Sequence, residues 1–338
     1  GDAPKGNFGS MRTNGWELAL DFNHKFNNGL TFAATFGLSD SKAKLLEYTE
    51  STTHTFNGTV NGSNYYTGMT MGEIWGYKYD RLYQMNDFEE VTALNGNTLP
   101  SNVSAVSYYG KYYKIKPGYT YSTLATPRPG GVKYKDLDGD GAITGGTGTV
   151  EDPGDRTVIG NLLPRYEYHF RFDLSWKGFD LSLFFQGVGQ RDAWSRGPLV
   201  SPAPELGQGA VSSLIDNIWS ESNPNAYWPR LNTMSREDYT SADWQQNDHY
   251  LLDMSYLRLK QLTFGYTVPK RLTQKISINR LRVYFTAENL FTIDNLKVPI
   301  DPELQTGNAS YGANYAGGQL GVTTPLPKYY SLGLQLGL

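Results

Sequence analysis

Between residues 165 and 176 the chain alternates with a period of two. The even positions, Tyr166, Tyr168, Phe170, Phe172, Leu174 and Trp176, are large and apolar. The odd positions, Arg165, Glu167, His169, Arg171, Asp173 and Ser175, are charged or polar. Such alternation predicts a β-strand with one apolar face. Lys177-Gly178 predicts a two-residue turn, with Gly free to take positive φ. Phe179, Leu181, Leu183 and Phe185 then line one face of the returning strand. The apolar face of a soluble sandwich is usually aliphatic and β-branched. Here it is aromatic at its ends and lacks Val and Ile. That pattern fits a strand whose outward face crosses lipid, with an aromatic girdle at the headgroups.

The same alternation recurs along the chain. Trp16, Leu18, Leu20 and Phe22 face away from Glu17, Ala19, Asp21 and Asn23; Leu30, Phe32, Ala34, Phe36 and Leu38 follow after an Asn-Asn-Gly turn. Strands are expected near 14–26, 29–38, 165–176, 179–186, 250–268, 280–291 and 328–338. In the fifth, the phase slips from Leu257 and Leu259 to Leu262, Phe264 and Tyr266. That slip predicts a bulge near Lys260-Gln261.

The connections sort by length. Short ones lie near 27–29, 177–178 and 269–279, long polar ones at 39–163, 187–249 and 292–327. Outer-membrane barrels have short periplasmic turns and long extracellular loops. The expected fold class is therefore all-β: an antiparallel transmembrane β-barrel with long extracellular loops. Seven strands is an odd count and too few for loops of this size. Residues 1–338 are thus expected to be the C-terminal portion of a larger barrel, with the plug domain and N-terminal strands lying outside this sequence. An open sheet would leave unpaired edges in lipid, so the remainder of the barrel must be supplied.

Composition narrows the classes. Mean hydropathy is -0.49 and no run of about 18 apolar residues occurs, which argues against transmembrane helices but not against spanning strands. With no cysteine, thiolate and disulfide chemistry are excluded. A net charge of -3 gives no basic footprint for nucleic acid. The four histidines, His24, His54, His169 and His249, have no paired metal-ligand spacing. No nucleophile elbow, phosphate loop or dinucleotide fingerprint is present in context. The chain is not expected to be an enzyme, and no cofactor is required.

One loop suggests an ion. Asp136, Asp138, Asp140, the Ala142 carbonyl and Gly141 fit the first positions of a calcium loop over 136–147. Position 12 is Thr147 rather than a bidentate Glu, so Glu151, Asp152 or Asp155 would have to close the site. The alternative reading is a run of Asx turns.

Several stretches together resemble SusC/RagA-like TonB-dependent transporters. They are residues 72–77 (Gly-Glu-Ile-Trp-Gly-Tyr), 135–141 (Lys-Asp-Leu-Asp-Gly-Asp-Gly) and 155–161 (Asp-Arg-Thr-Val-Ile-Gly-Asn). Further matches are 176–181, 185–187, 255–260, 264–266 and 287–292 (Ala-Glu-Asn-Leu-Phe-Thr). Their order matches across nearly the whole length, as in the C-terminal half of that family. The chain departs from the family in ending on Leu338 rather than an aromatic residue. The resemblance implies a 22-stranded plugged barrel in the bacterial outer membrane. It implies TonB-driven import of an oligosaccharide or oligopeptide, with a SusD-like surface lipoprotein as lid. The implied partners are that lipoprotein, TonB through the N-terminal region, the remaining barrel and plug, substrate and membrane lipid.

Loop aromatics are the substrate candidates, since their faces stack on sugars and pack on peptide side chains. They are Tyr108, Tyr109, Tyr112, Tyr113, Trp194, Trp228 and Trp244, with packing between loops as the alternative. Arg191, Asp192 and Trp194 follow directly on strand 179–186 and join Tyr112 and Tyr113 as the leading set. The rival function is a soluble or surface-anchored β-sandwich binding carbohydrate. It predicts two inner faces and no lipid-facing belt.

Overall fold

The computed structural model describes residues 9–48, 65–92, 104–124, 126–194, 197, 199–202, 211–231, 244–303, 320 and 324–337. Eight strands form one antiparallel sheet: β1 (Gly9–Lys25), β2 (Thr31–Tyr48), β3 (Arg165–Trp176), β4 (Phe179–Gln190), β5 (Tyr256–Thr267), β6 (Arg280–Glu288), β7 (Thr292–Asp294) and β8 (Tyr329–Gly337). The spatial order is β1-β2-β3-β4-β5-β6-β8, a meander, with β7 pairing the upper part of β5. Among the described residues β1 and β8 are edges.

The strands differ from the sequence expectation at their loop ends. β2 continues to Tyr48 rather than stopping near 38, and β1 begins at Gly9 rather than 14. Their ladder stays in register from Met11↔Leu45 downwards. Residues 39–44, Ser-Asp-Ser-Lys-Ala-Lys, are polar on both faces, so pairing persists where the apolar contrast has gone. The stretch 250–268 divides. Leu251–Asp253 pairs with Asp192–Trp194 outside the main sheet, and β5 starts at Tyr256. The strand expected over 280–291 breaks after Glu288 and resumes as β7. Leu338 lies outside the described residues.

Local chemistry explains the joints. Lys177 (φ 49°) and Gly178 (φ 89°) both take positive φ, as a type I′ hairpin demands. A Cβ on Gly178 would meet the Thr267 carbonyl oxygen at 2.7 Å. The expected bulge is present: Phe184 faces Gln261 and Phe185 faces Leu259, leaving Lys260 unmatched. On the other side of β5, Asn289 (φ 50°) marks the break between β6 and β7.

The sheet has two unlike faces. One carries Leu18, Leu20, Phe22, Phe264, Val283, Leu332, Leu334 and Leu336, all exposed, Leu332 at 82%. Phe36, Phe170, Phe172, Phe185 and Phe285 continue this face across the register. The opposite face is polar. Thr35 donates to Asp21 (2.8 Å), Arg171 pairs with Asp173 (2.8 Å), and Arg282 reaches across β5 to Asp180. Gly265 makes that reach feasible, because a Cβ there would lie 2.6 Å from the Arg282 guanidinium. No second sheet covers the apolar face among the described residues.

The packed core instead lies in the loops. Tyr77, Tyr108, Tyr134, Trp219, Trp228, Trp244, Tyr250, Leu252 and Met254 are buried in one cluster. Its buried members come from between Tyr77 and Tyr134, from Ile143, and from Ala193, Val200, Leu214–Trp228, Trp244–Met254, Val298 and Leu320. The first of these leaves and re-enters through a neck. Tyr79–Leu82 pairs antiparallel with Val132–Tyr134, and Tyr83 and the Gly130-Gly131 pair exchange backbone hydrogen bonds of 2.8 Å. The Lys135 N–H closes the neck on the Lys78 carbonyl (2.9 Å). No helix among the described residues is long and apolar enough to cross a membrane.

Candidate functional site

Three of the motif stretches meet above the sheet. Glu73–Tyr77 pairs with Arg156–Asn161, so residues 72–77 and 155–161 form one two-stranded unit. Two glycines let neighbours close on it. A Cβ on Gly76 would strike the Gln246 carbonyl oxygen at 2.5 Å, and one on Gly160 would strike Asp192 and Leu251. The Glu73 carboxylate accepts from Tyr66 Oη, the Thr70 N–H (3.1 Å) and Trp75 Nε1 (2.9 Å). Burial pushes its pKa up, against those donors.

Asp155, the first residue of the third motif, closes the acidic loop. It is fully buried, and its two oxygens accept the Leu137 and Thr144 N–H groups at 2.7 Å each. Asp136 accepts from Gly139 and Gly141, Asp138 from Asp140, and Asp140 from Ala142. These are the Asx turns of the alternative reading. Carboxylate oxygens of Asp136, Asp138 and Asp155 lie within 4.8 Å of one another, so these three could hold a hard cation. Asp140 and Ala142 stand in the adjoining turn.

The substrate candidates divide. Asp192 and Trp194 lie on the short strand paired with Leu251–Asp253, with Arg191 just before it. The Asp192 carboxylate accepts the Asn161 N–H (2.8 Å), tying this strand to the motif unit, and burial raises its pKa. Burial lowers the Arg191 pKa. Tyr112 and Tyr113 sit on the hairpin Val106–Tyr108/Lys111–Ile115, which also pairs with Phe88–Val91. Trp194 and Tyr113 both flank the loop core. Tyr108, Trp228 and Trp244 are buried in it, so these three pack loop against loop. Tyr109, at the hairpin tip with φ 47°, is 88% exposed.

A cavity among the loops had no signal in the sequence. It encloses about 840 Å³ between Tyr79, Leu214, Pro224, Tyr227, His249 and Lys297. The Tyr79 and His249 rings stack at 4.0 Å, and Tyr227 lies 4.6 Å from His249. Burial pushes the Tyr79 and Tyr227 phenols up to about 12, so both remain neutral donors. These residues come from four separate stretches, with no shared spacing to reveal them.

No family model matches the chain. It is 27% identical over 347 residues to TonB-dependent receptor P3 of Formosa agariphila, covering 98% of this chain. TonB-dependent receptor P26 of the same organism is 25% identical, again over 98% of this chain. Among solved structures, the RagAB peptide transporter matches with TM-score 0.62 at 19% identity over 97% of the chain. The RagAB peptide importer in its open-open state matches with TM-score 0.58, also at 19% identity. The chain spans 29% of the length of each of these proteins. The resemblance to SusC/RagA-like TonB-dependent transporters is thus borne out. The chain is a homologue of TonB-dependent receptors and has the antiparallel β fold of part of such a transporter.

Proposed function

We propose that this chain forms the C-terminal part of a TonB-dependent importer in the bacterial outer membrane. The observation that carries the reading is the exposed apolar face running across the eight-stranded sheet, opposite a face of Asp, Arg, Thr and Ser. Solvated, that face would be an aggregation surface; against lipid, it is matched. The edges β1 and β8 then pair with further strands of the same barrel, since unpaired backbone groups are prohibitive in hydrocarbon. The loop core sits over the barrel mouth as the ligand-facing part. The chain acts as a transporter rather than an enzyme. A SusD-like lipoprotein serves as its lid, a plug domain fills the lumen, and the cargo is an oligosaccharide or oligopeptide. That RagAB is a peptide transporter and importer supports the peptide alternative for the cargo.

The sandwich rival needs a second sheet packed on the apolar face, and the described residues provide none. Membrane fractionation followed by denaturing mass spectrometry of the solubilised complex tests the proposal. The expected result is recovery only with detergent, together with the missing barrel and plug sequence and a surface lipoprotein. A water-soluble species of 37.8 kDa without partners would overturn it.

A further inference from the structure

We propose that the loop cavity receives a carboxylate group of the ligand, with Lys297 as its counter-ion. The inference rests on the import reading in one respect: the cavity is taken as a station for cargo.

Size permits it, because about 840 Å³ lies within the range of small-ligand sites. The sign of the lining decides the ligand class. Two cations, Arg81 and Lys297, line the cavity, and no carboxylate does. Arg81 is already neutralised: its guanidinium grips both oxygens of Asp87, at 2.5 and 2.9 Å. Lys297 is not. Among the described residues it has no carboxylate partner, and its ammonium lies 4.7 Å from the centroid of the Tyr227 ring. A cation held over an aromatic face stays available to an incoming anion.

The neutral groups also favour an acceptor-rich ligand. Asn217 uses Oδ1 to accept the Tyr227 N–H (3.1 Å), so its amide NH₂ is the end left for a ligand. The Asn225 side chain, exposed on the same wall, has no hydrogen-bond partner among the described residues. His249 accepts no second charge here: burial, reinforced by Lys297, holds its pKa below the usual value.

Lys297 is also held in place. Val298 is buried in the loop core and Leu296 packs against it. Farther along the same segment, Asp301 and Glu303 pair with the buried Arg258 at the top of β5. The backbone carrying Lys297 is therefore anchored on both sides, which lowers the ordering cost of binding. A neutral ligand would gain little from this arrangement, and an amine would be repelled.

A carboxylate can come from an acidic sugar or from an acidic peptide residue, and the test separates them. The full-length transporter, with whatever chains co-purify, is titrated calorimetrically in detergent. One arm compares digalacturonate with its dimethyl ester; the other compares N-acetyl-glutamyl-glutamate amide with N-acetyl-glutaminyl-glutamine amide, in which both chain ends are blocked and only the side chains differ in charge. The expected result is that at least one acid binds at least about tenfold more tightly than its neutral counterpart. Lys297→Met, which keeps the stem over Tyr227, should erase that preference without changing the melting temperature. Lys328→Met, outside the cavity, should leave it intact. Equal binding of acids and neutral analogues, a preference surviving in Lys297→Met, or no binding of any probe would overturn the proposal. The titration needs no energy source, so it is independent of import. A protein that prefers acids but fails to take up cargo in cells would sink the import reading alone.

Discussion

Adjacent residues of β4 allow a sharp test of which face meets lipid. Leu183 lies between Phe172 and Leu262 on the apolar face, whereas Ser182 lies between Asp173 and Thr263 on the polar one. A strand tilted about 40° climbs about 2.5 Å per residue, so a 25 Å apolar band takes roughly ten residues. Counted from Phe179, that puts Leu183 close to the bilayer midplane. Arginine there should cost about 2–4 kcal/mol. Arginine at 182 would lie on the polar face beside Asp173 and should cost no more than about 0.5 kcal/mol. The assay is urea unfolding of the full-length protein reconstituted in vesicles, followed by the gel-mobility difference between folded and unfolded barrel. Leu183→Arg within about 0.5 kcal/mol of the wild type would refute the lipid assignment. Ser182→Arg as costly as Leu183→Arg would refute the assignment of faces.

Four further outcomes are expected. Gly265→Ala should push apart the Arg282–Asp180 pair and cost about 1–3 kcal/mol in the same unfolding assay, as overpacking does. Arg258→Met leaves Asp301 without its cation while Glu303 keeps Lys260 at 2.6 Å; a loss of about 3 kcal/mol is expected, with faster proteolysis around 295–303. His249 has a lowered pKa in the fold, so the unfolded chain takes up its proton first. Stability should therefore fall as pH drops through about 6.5 towards the folded value, and His249→Gln should flatten that part of a melting-temperature profile. Asp155→Ala strands two backbone N–H groups and should cost about 2–3 kcal/mol; if the loop also takes Ca²⁺, added calcium should raise the melting temperature of the wild type but not of this variant.

The sheet was legible in the sequence because its two faces, one apolar and one polar, alternate residue by residue. Phe170 and Arg171 declare their faces without reference to anything distant. The bulge at Lys260 was legible for the same reason, as a slip in that alternation. The signal fades where both faces are wet, which is why β2 runs on through Ser39–Lys44. The loop core left no periodic trace. Trp228, Trp244 and Tyr108 sit among Asn, Pro, Ser and Gly and read as exposed. They are buried because segments more than 100 residues apart close over them. Asp155 was one of three acids able to close the 136–147 loop. Only the pairing of 73–77 with 156–161 shows why it lies there. The cavity was invisible for a related reason: Lys297 and Tyr79 are brought together solely by the tertiary fold.

The neck at 78–83 and 130–135 sets what can change above the sheet. Chain leaves and returns at one point, through a short antiparallel ladder bulged at Asp80, so the two ends of the excursion are held together. Closing a longer excursion costs little, about 0.6 kcal/mol for each doubling of its length. Length changes at the exposed Tyr109-Gly110 tip can therefore be accommodated without moving a strand of the main sheet. Tyr79, Arg81, Leu82 and Gln84, which line the cavity, stand in or next to that neck. A changed excursion would thus alter the rim of the cavity through these residues while the main sheet stays constant.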